Sequence, residues 1–362
     1  MRPLRVRWLG LVEYQDGLDM QGQLAAARAA GSAPDTLLLL EHPPVITLGR
    51  GATRANVLWS DALLEQRGFE LFETDRGGDV TYHGPGQLVG YPVLDLKPDR
   101  KDVRKYVRSI EELMIRLAAD HGVVAERAPG RTGVWVPGAG KLGAIGVHLS
   151  RWITSHGFAF NVRPRLDDFS AIVPCGIRDA GVTSLEALLG ARAPSLEEAA
   201  DRAARHAGAV WESEPVPASP ELQTVSVAVV REALEGDEVL LVKRIPARGG
   251  FWQTLTGRHE AGESAPQAAA RELREETGFP APVEELGYAH SFVLKRSGDD
   301  QAGPPLFARE TAFAARVPPG SEPRLDPREH DEHRWAPLDE ALRKLPFAGL
   351  RRGARLAVEK LR

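Results

Sequence analysis

Three prolines within six residues, Pro215, Pro217 and Pro220, interrupt the chain. Each fixes its own backbone and pushes its predecessor towards extended conformations, so no helix or sheet ladder runs through unbroken. Strand signals restart at once, in Thr224–Val230 and Glu238–Lys243. We read 214–221 as a short semi-rigid linker between a domain over 1–213 and a second over 222–362. A length of 362 residues is too great for one ordinary domain and agrees with two.

The 46 basic and 50 acidic residues leave a net charge of −4. That balance gives no general attraction to nucleic acid or to an anionic membrane, and neither is expected as a partner. No apolar run approaches the roughly 20 residues of a membrane span. The start, MRPLRVRWLGLVEYQDGL, lacks the apolar stretch and cleavage site of a signal peptide. One cysteine in the whole chain suits the reducing cytosol, so a cytoplasmic location is expected.

The first half alternates short apolar runs with helical patterns. Thr36–Glu41 reads as a buried strand and Leu88–Leu96 as another. Val103, Val107, Ile110, Met114 and Leu117 place an amphipathic helix over 103–121. Ser195 is the expected N-cap of a helix to Trp211. Two glycine-rich stretches, 76–87 and 137–148, read as loops that let backbone approach a ligand. The first offers Arg76, Asp79, Tyr82 and His83, more chemistry than a turn needs. The second carries Lys141, one of few lysines in an arginine-rich chain. The lone Cys175 cannot form an internal disulfide or a multi-cysteine zinc site. It serves either as a small packed hydrophobe or as a nucleophile. An ammonium group nearby would raise its thiolate fraction.

Four blocks in order, RGGDVTYHGPGQLVGYPVLDL, GKLGAIGVH, HGFAFNV and FSAIVPCGI, resemble the octanoyl-[acyl-carrier-protein]:protein octanoyltransferase family, also called lipoate–protein ligase B. The resemblance extends over about 1–213. It implies an α/β (α+β) domain like those of lipoate and biotin protein ligases. By that likeness Cys175 matches the acyl-thioester nucleophile and Lys141 the residue that activates it. Substrate-binding positions match Arg76, Gly77, Gly78, Asp79, Val80, Thr81, Tyr82 and His83, then Ala144, Ile145 and Gly146, then Gly157, Phe158 and Ala159. The implied donor is octanoyl-acyl-carrier protein. The implied acceptors are lipoyl domains of 2-oxoacid dehydrogenases and the glycine cleavage H protein. Acyl transfer between thioester, thiolate and amine needs no cofactor. Arg127, Arg131, Arg151 and Arg178 are candidates to meet such acidic partners. His83 and His148 carry no assigned role at this point.

In the second half, residues 257–279 form a glycine-rich loop followed by a helix. Ser264 and Gln267 make a capping box, Pro266 sits in the first turn and Gly278 ends the helix. Glu272, Glu275 and Glu276 share one face, where mutual repulsion favours a hard divalent cation. A solvated acidic face is the plain alternative. The stretch resembles the Nudix box, with every specified position filled. That resemblance implies an α/β/α sandwich. It makes Glu272, Glu275 and Glu276 ligands of magnesium or manganese, with Glu263 as a further one and Arg271 orienting them. The implied reaction is hydrolysis of a nucleoside diphosphate linked to another group. A module that senses a nucleotide without hydrolysing it is the alternative. Glu329, His330, Glu332 and His333 form a late polar cluster that offers a base or a surface turn.

Overall fold

A computed structural model describes residues 1–173, 181–216, 221–234, 236–294 and 306–362. The chain divides into two compact units at residues 219/220. Among the described residues no helix is long and apolar enough to cross a membrane.

The first unit holds strands β1 (Arg2–Leu11), β2 (Asp35–Glu41), β3 (Val45–Leu48), β4 (Glu70–Glu73), β5 (Val80–His83) and β6 (Gln87–Val93). They continue with β7 (Glu126–Ala128), β8 (Arg131–Val136), β9 (Gly140–Ser150), β10 (Ile153–Asn161) and β11 (Ser213–Val216). Its helices are α1 (Tyr14–Ala29), α2 (Asp61–Gln66), α3 (Val103–Ala119), α4 (Leu185–Leu189) and α5 (Leu196–Val210). Eight strands form one sheet in the order β11-β1-β2-β6-β10-β9-β8-β7, and β4-β3-β5 form a small second sheet.

Helix α3 buries Tyr106, Ile110, Leu113, Met114 and Leu117 against the large sheet, packed with Leu37, Leu39 and Leu88. Its apolar stripe begins one turn later than the sequence pattern suggested, since Val103 is exposed. Helix α5 opens on a capping box between Ser195 and Glu198 and buries Ala199, Ala203 and Ala207. Such a cap contributes about 1 kcal/mol. The small sheet has its own core of Ile46, Val80, Tyr82 and Ile172.

Two sequence expectations change here. Residues 214–216 belong to β11, which runs parallel to β1 with Pro215 opposite Leu4. Proline is tolerated there because β11 is an edge strand. Residues 217–220 lie outside the described residues. The second glycine-rich stretch is a strand for most of its length, β9, and not a loop. Its glycines serve close packing. Gly157 on β10 pairs with Gly146 on β9, and a Cβ at Gly157 would lie 2.1 Å from the Gly90 carbonyl oxygen of β6.

The second unit holds β12 (Leu222–Ala233), β13 (Gly236–Arg244), β14 (Trp252–Gln253), β15 (Leu255–Arg258), β16 (Glu284–Leu294), β17 (Leu306–Val317) and β18 (His330–Pro337). Helices α6 (Ala265–Thr277), α7 (Leu338–Lys344) and α8 (Ala348–Leu361) complete it. The sheet runs β14-β13-β12-β17-β16, with β15 on β12 and β18 on β13. Period-two alternation sorts β12 between two cores. Val225, Val227 and Val229 pack with Ala269 and Leu273 of α6. Ala228 and Val230 pack with Ala354 and Val358 of α8. The result is the expected α/β/α sandwich.

Candidate functional site

One cavity of the first unit gathers three separate segments. Its walls include Arg76, Gly78, Asp79, Val80, Thr81 and His83 from the loop into β5. Lys141, Ala144, Ile145 and Gly146 come from β9, and Gly157, Phe158 and Ala159 from β10. The β9–β10 register sets Ala144 against Ala159 and Gly146 against Gly157, so the two strand segments form one continuous floor. Gly77 and Tyr82 do not line the cavity. Alternation along β5 turns Tyr82 to the opposite side, where its hydroxyl donates to Asp168 Oδ2 at 2.9 Å. Burial, followed by the neighbouring Asp168 carboxylate, holds the Tyr82 phenol well above its ordinary pKa.

The loop over the cavity is stitched on both sides. Gly77 N donates to Val147 O at 2.9 Å, and Arg50 N donates to Arg76 O at 3.0 Å. Arg76 is buried and gives its guanidinium to Thr47 O, Thr47 Oγ1 and Asp79 O. Asp79 spends its carboxylate on Asn56 Nδ2 at 2.8 and 3.0 Å and on Val80 N at 2.7 Å. It braces the loop.

Lys141 sits at the start of β9, with Nζ 5.2 Å from the Trp135 ring centre. Its backbone N donates to Gly181 O at 2.8 Å and its carbonyl accepts from Thr183 N at 3.0 Å. The approach demands glycine before it: a Cβ at Gly140 would lie 2.3 Å from Gly181 O. Cys175 itself lies outside the described residues. The chain before it is anchored by Val173 N donating to Asn56 O at 2.8 Å. Asn56 in turn holds Asp79, so both flanks of 174–180 are tied to cavity-lining segments.

Sequence reasoning missed Tyr14, Tyr91 and His156, which also line the cavity. His156 was written in the block HGFAFNV, one place before the expected positions. It adopts a left-handed backbone at φ 54° and bonds Asp75 Oδ1 through Nε2 at 2.7 Å. The other Asp75 oxygen lies 3.4 Å from His148 Nε2. Burial pushes His42 down to about 4 and His83 down to about 3, so both imidazoles are neutral near pH 7. Burial raises Tyr14 to about 12. The cavity is thus lined by apolar groups and aromatic rings together with the basic side chains of Lys141 and Arg76 and the carboxyl group of Asp79.

In the second unit Arg271 ties the acidic face together. Its guanidinium bonds Glu263 at 3.0 Å, Glu272 at 2.8 Å, Glu275 at 3.1 Å and the Arg258 carbonyl at 2.8 Å. The Glu272 carboxyl lies against Gly257, where a Cβ would be 1.9 Å away. Glu276 differs from the others. It is 5% exposed, and its buried Oε2 has no hydrogen-bond partner among the described residues. Burial, then Glu272 and Glu329, push its carboxyl up to about 9. An unpartnered oxygen on a buried carboxyl group that feels Glu272 and Glu329 fits a hard divalent cation, whose charge would favour the ionised form and offset that burial. Among the described residues no three such groups already converge as a ready ligand set. His330 is fully buried with Nδ1 4.0 Å from Glu276 Oε2. Of the late polar cluster, Glu329 and His330 belong to this site. Glu332 and His333 pair elsewhere, with Lys243 and Glu322.

Comparison with known proteins agrees with this division. The lipoyl protein ligase A/B catalytic domain matches residues 13–208, and the NUDIX domain matches residues 222–355. An octanoyltransferase of Myxococcus xanthus is 52% identical over 97% of this chain and 98% of its own. The chain belongs to the octanoyltransferase family. An octanoyltransferase of Solibacter usitatus is 54% identical over 60% of this chain and 97% of its own. Some relatives therefore match only part of this chain along nearly their whole length, whereas the Myxococcus protein spans both units. A crystal structure of lipoate-protein ligase A bound with ATP overlays with a TM-score of 0.48 at 16% identity, over 60% of this chain and 90% of that one. The two domain matches give the fold, a lipoyl protein ligase-like domain followed by a Nudix domain.

Proposed function

We propose that the first unit moves octanoyl from octanoyl-acyl-carrier protein to Cys175 as a thioester, then to a lysine of a lipoyl domain. The acceptor class includes the lipoyl domains of 2-oxoacid dehydrogenases and the glycine cleavage H protein. The observation that carries this reading is the single cavity in which Lys141 meets all three wall segments. Ala144, Ile145 and Phe158 offer the acyl chain an apolar slot. Cys175 follows Val173 by two residues in the sequence, and Val173 is bonded to Asn56. The Lys141 ammonium favours the thiolate over the thiol. Covalent catalysis then splits one transfer into two easier steps. Octanoyl transfer to a purified lipoyl domain tests this, with loss in Cys175→Ser.

For the second unit we infer hydrolysis of a nucleoside diphosphate linked to another group. Glu272, Glu275 and Glu276 would hold magnesium or manganese, with Glu263 and Arg271 positioning them. Such an ion, when bound, polarises a diphosphate and makes hydroxide available. The orphaned oxygen of Glu276 supports this over a purely solvated acidic face. The test is magnesium-dependent release of phosphate or nucleotide from a substrate panel, abolished in Glu276→Gln. A cytoplasmic location fits both chemistries.

A further inference from the structure

His83 ends a hydrogen-bond chain whose direction is fixed by a carbonyl group. Asn161 Nδ2 donates to Thr183 O at 3.0 Å, and that carbonyl can only accept. Asn161 Oδ1 therefore faces Gln87, whose Nε2 donates to it at 2.9 Å. The Tyr82 carbonyl, 3.4 Å from the same Gln87 nitrogen, requires the same orientation. Gln87 Oε1 is then the atom 2.7 Å from His83 Nδ1, which must carry the proton. The opposite nitrogen, Nε2, is left with a lone pair. Among the described residues no group bonds it, and the ring lines the same cavity as Lys141. The far end of the chain returns to that lysine, because Thr183 N donates to Lys141 O.

We propose that His83 Nε2 accepts an N–H of the incoming acceptor lysine and aims that amine at the octanoyl thioester. An acyl chain offers no donor, so a fixed acceptor in its slot suits the amine and not the chain. A protonated imidazole here would repel Lys141 and leave no lone pair to accept an amine N–H. Burial to 7% exposure disfavours that charge, and the bond to Gln87 fixes the single proton of the neutral ring on Nδ1. In the step itself the amine nitrogen bonds the carbonyl carbon and the carbon–sulfur bond breaks. The N–H held by His83 stays as the amide N–H. The Lys141 ammonium gives a proton to the departing sulfur and regains one as the other amine proton leaves the nitrogen, and His83 is never protonated. His83 thus serves the second transfer and not the first.

This inference rests on the Cys175 thioester reading, and single-turnover kinetics of the full-length protein separate the two. Octanoyl-acyl-carrier protein is mixed first and acyl-enzyme is followed by intact mass. A lipoyl domain is then added. His83→Asn keeps the donor to Gln87 and removes the acceptor; His83→Gln returns an acceptor near the Nε2 position. Loss of one such hydrogen bond to a cationic or reacting amine slows transfer about tenfold to a hundredfold. We expect His83→Asn to slow the second step by that factor and the first by much less, with His83→Gln partly restoring the second. Equal slowing of both steps in both variants, or unchanged transfer, overturns the role of His83. Absence of any acyl-enzyme in the unmutated protein overturns the thioester reading and this role with it.

Discussion

Lys141 and Gly181 are joined by a backbone hydrogen bond of 2.8 Å, which fixes the chain after residues 174–180 beside the amine of the cavity. The bond holds because Gly140 leaves no Cβ in its way. Replacing Lys141 by Met keeps the strand and removes the charge. Activation of a nucleophile by a positioned group is worth about 10²–10⁴-fold. We expect Lys141→Met to slow acyl-enzyme formation by at least about 100-fold at saturating donor. An unchanged rate would remove Lys141 from the mechanism.

The floor of the cavity depends on three strands approaching through glycine. A Cβ at Gly157 would meet Gly90 O at 2.1 Å and Pro92 Cδ at 2.5 Å, and the first of these is backbone. Gly157→Ala should destabilise the first unit by about 1–3 kcal/mol, the usual cost of overpacking. Denaturant unfolding followed by tryptophan fluorescence reads this. A midpoint equal to that of the unmutated protein would show that the sheet can spread.

Much of this was legible in the sequence, and the failures have physical causes. Helix α5 and helix α6 announced themselves through Ser195 with Glu198 and Ser264 with Gln267, because caps are local chemistry. Lys141 and the wall segments were legible as motifs. The strand β9 was not, since glycine weakens every strand signal while its cause, the backbone of β6 and β10, is distant in sequence. Tyr14 was invisible for the same reason, since nothing in the sequence ties α1 to the β5 loop, whereas Tyr91 stood inside the first block without being singled out. Tyr82 sat inside a correct block, yet alternation along β5 sends it away from the cavity.

His42 and His83 are buried and neutral, at about 4 and about 3, against 6.5 when exposed. Above pH 6.5 neither state takes up a proton and stability is fully present. Below it the unfolded chain gains protons that the folded one refuses, until the pH falls through the folded values. Stability should therefore fall as pH drops from 7 to 5, by up to about 2 kcal/mol per histidine. Chemical denaturation at the two pH values measures the loss. His83→Asn should show a smaller loss than the unmutated protein; an identical loss would mean that His83 is protonated in the fold.

In the second unit the buried, unbonded Oε2 of Glu276 is a cost that a divalent cation would relieve. Magnesium or manganese at 100 times its dissociation constant should stabilise this unit by about 2.7 kcal/mol. The shift should vanish in Glu276→Gln, with unfolding followed by calorimetry in chelator and in metal. A shift that survives the substitution would place the cation elsewhere.

The account stands most directly on the fate of one sulfur atom. Intact-mass spectrometry after mixing the full-length protein with octanoyl-acyl-carrier protein should show one octanoyl group, mapped by peptide analysis to Cys175 and discharged by a lipoyl domain. Transfer to the lipoyl domain at full rate by Cys175→Ser, with no adduct on the unmutated protein, would contradict it.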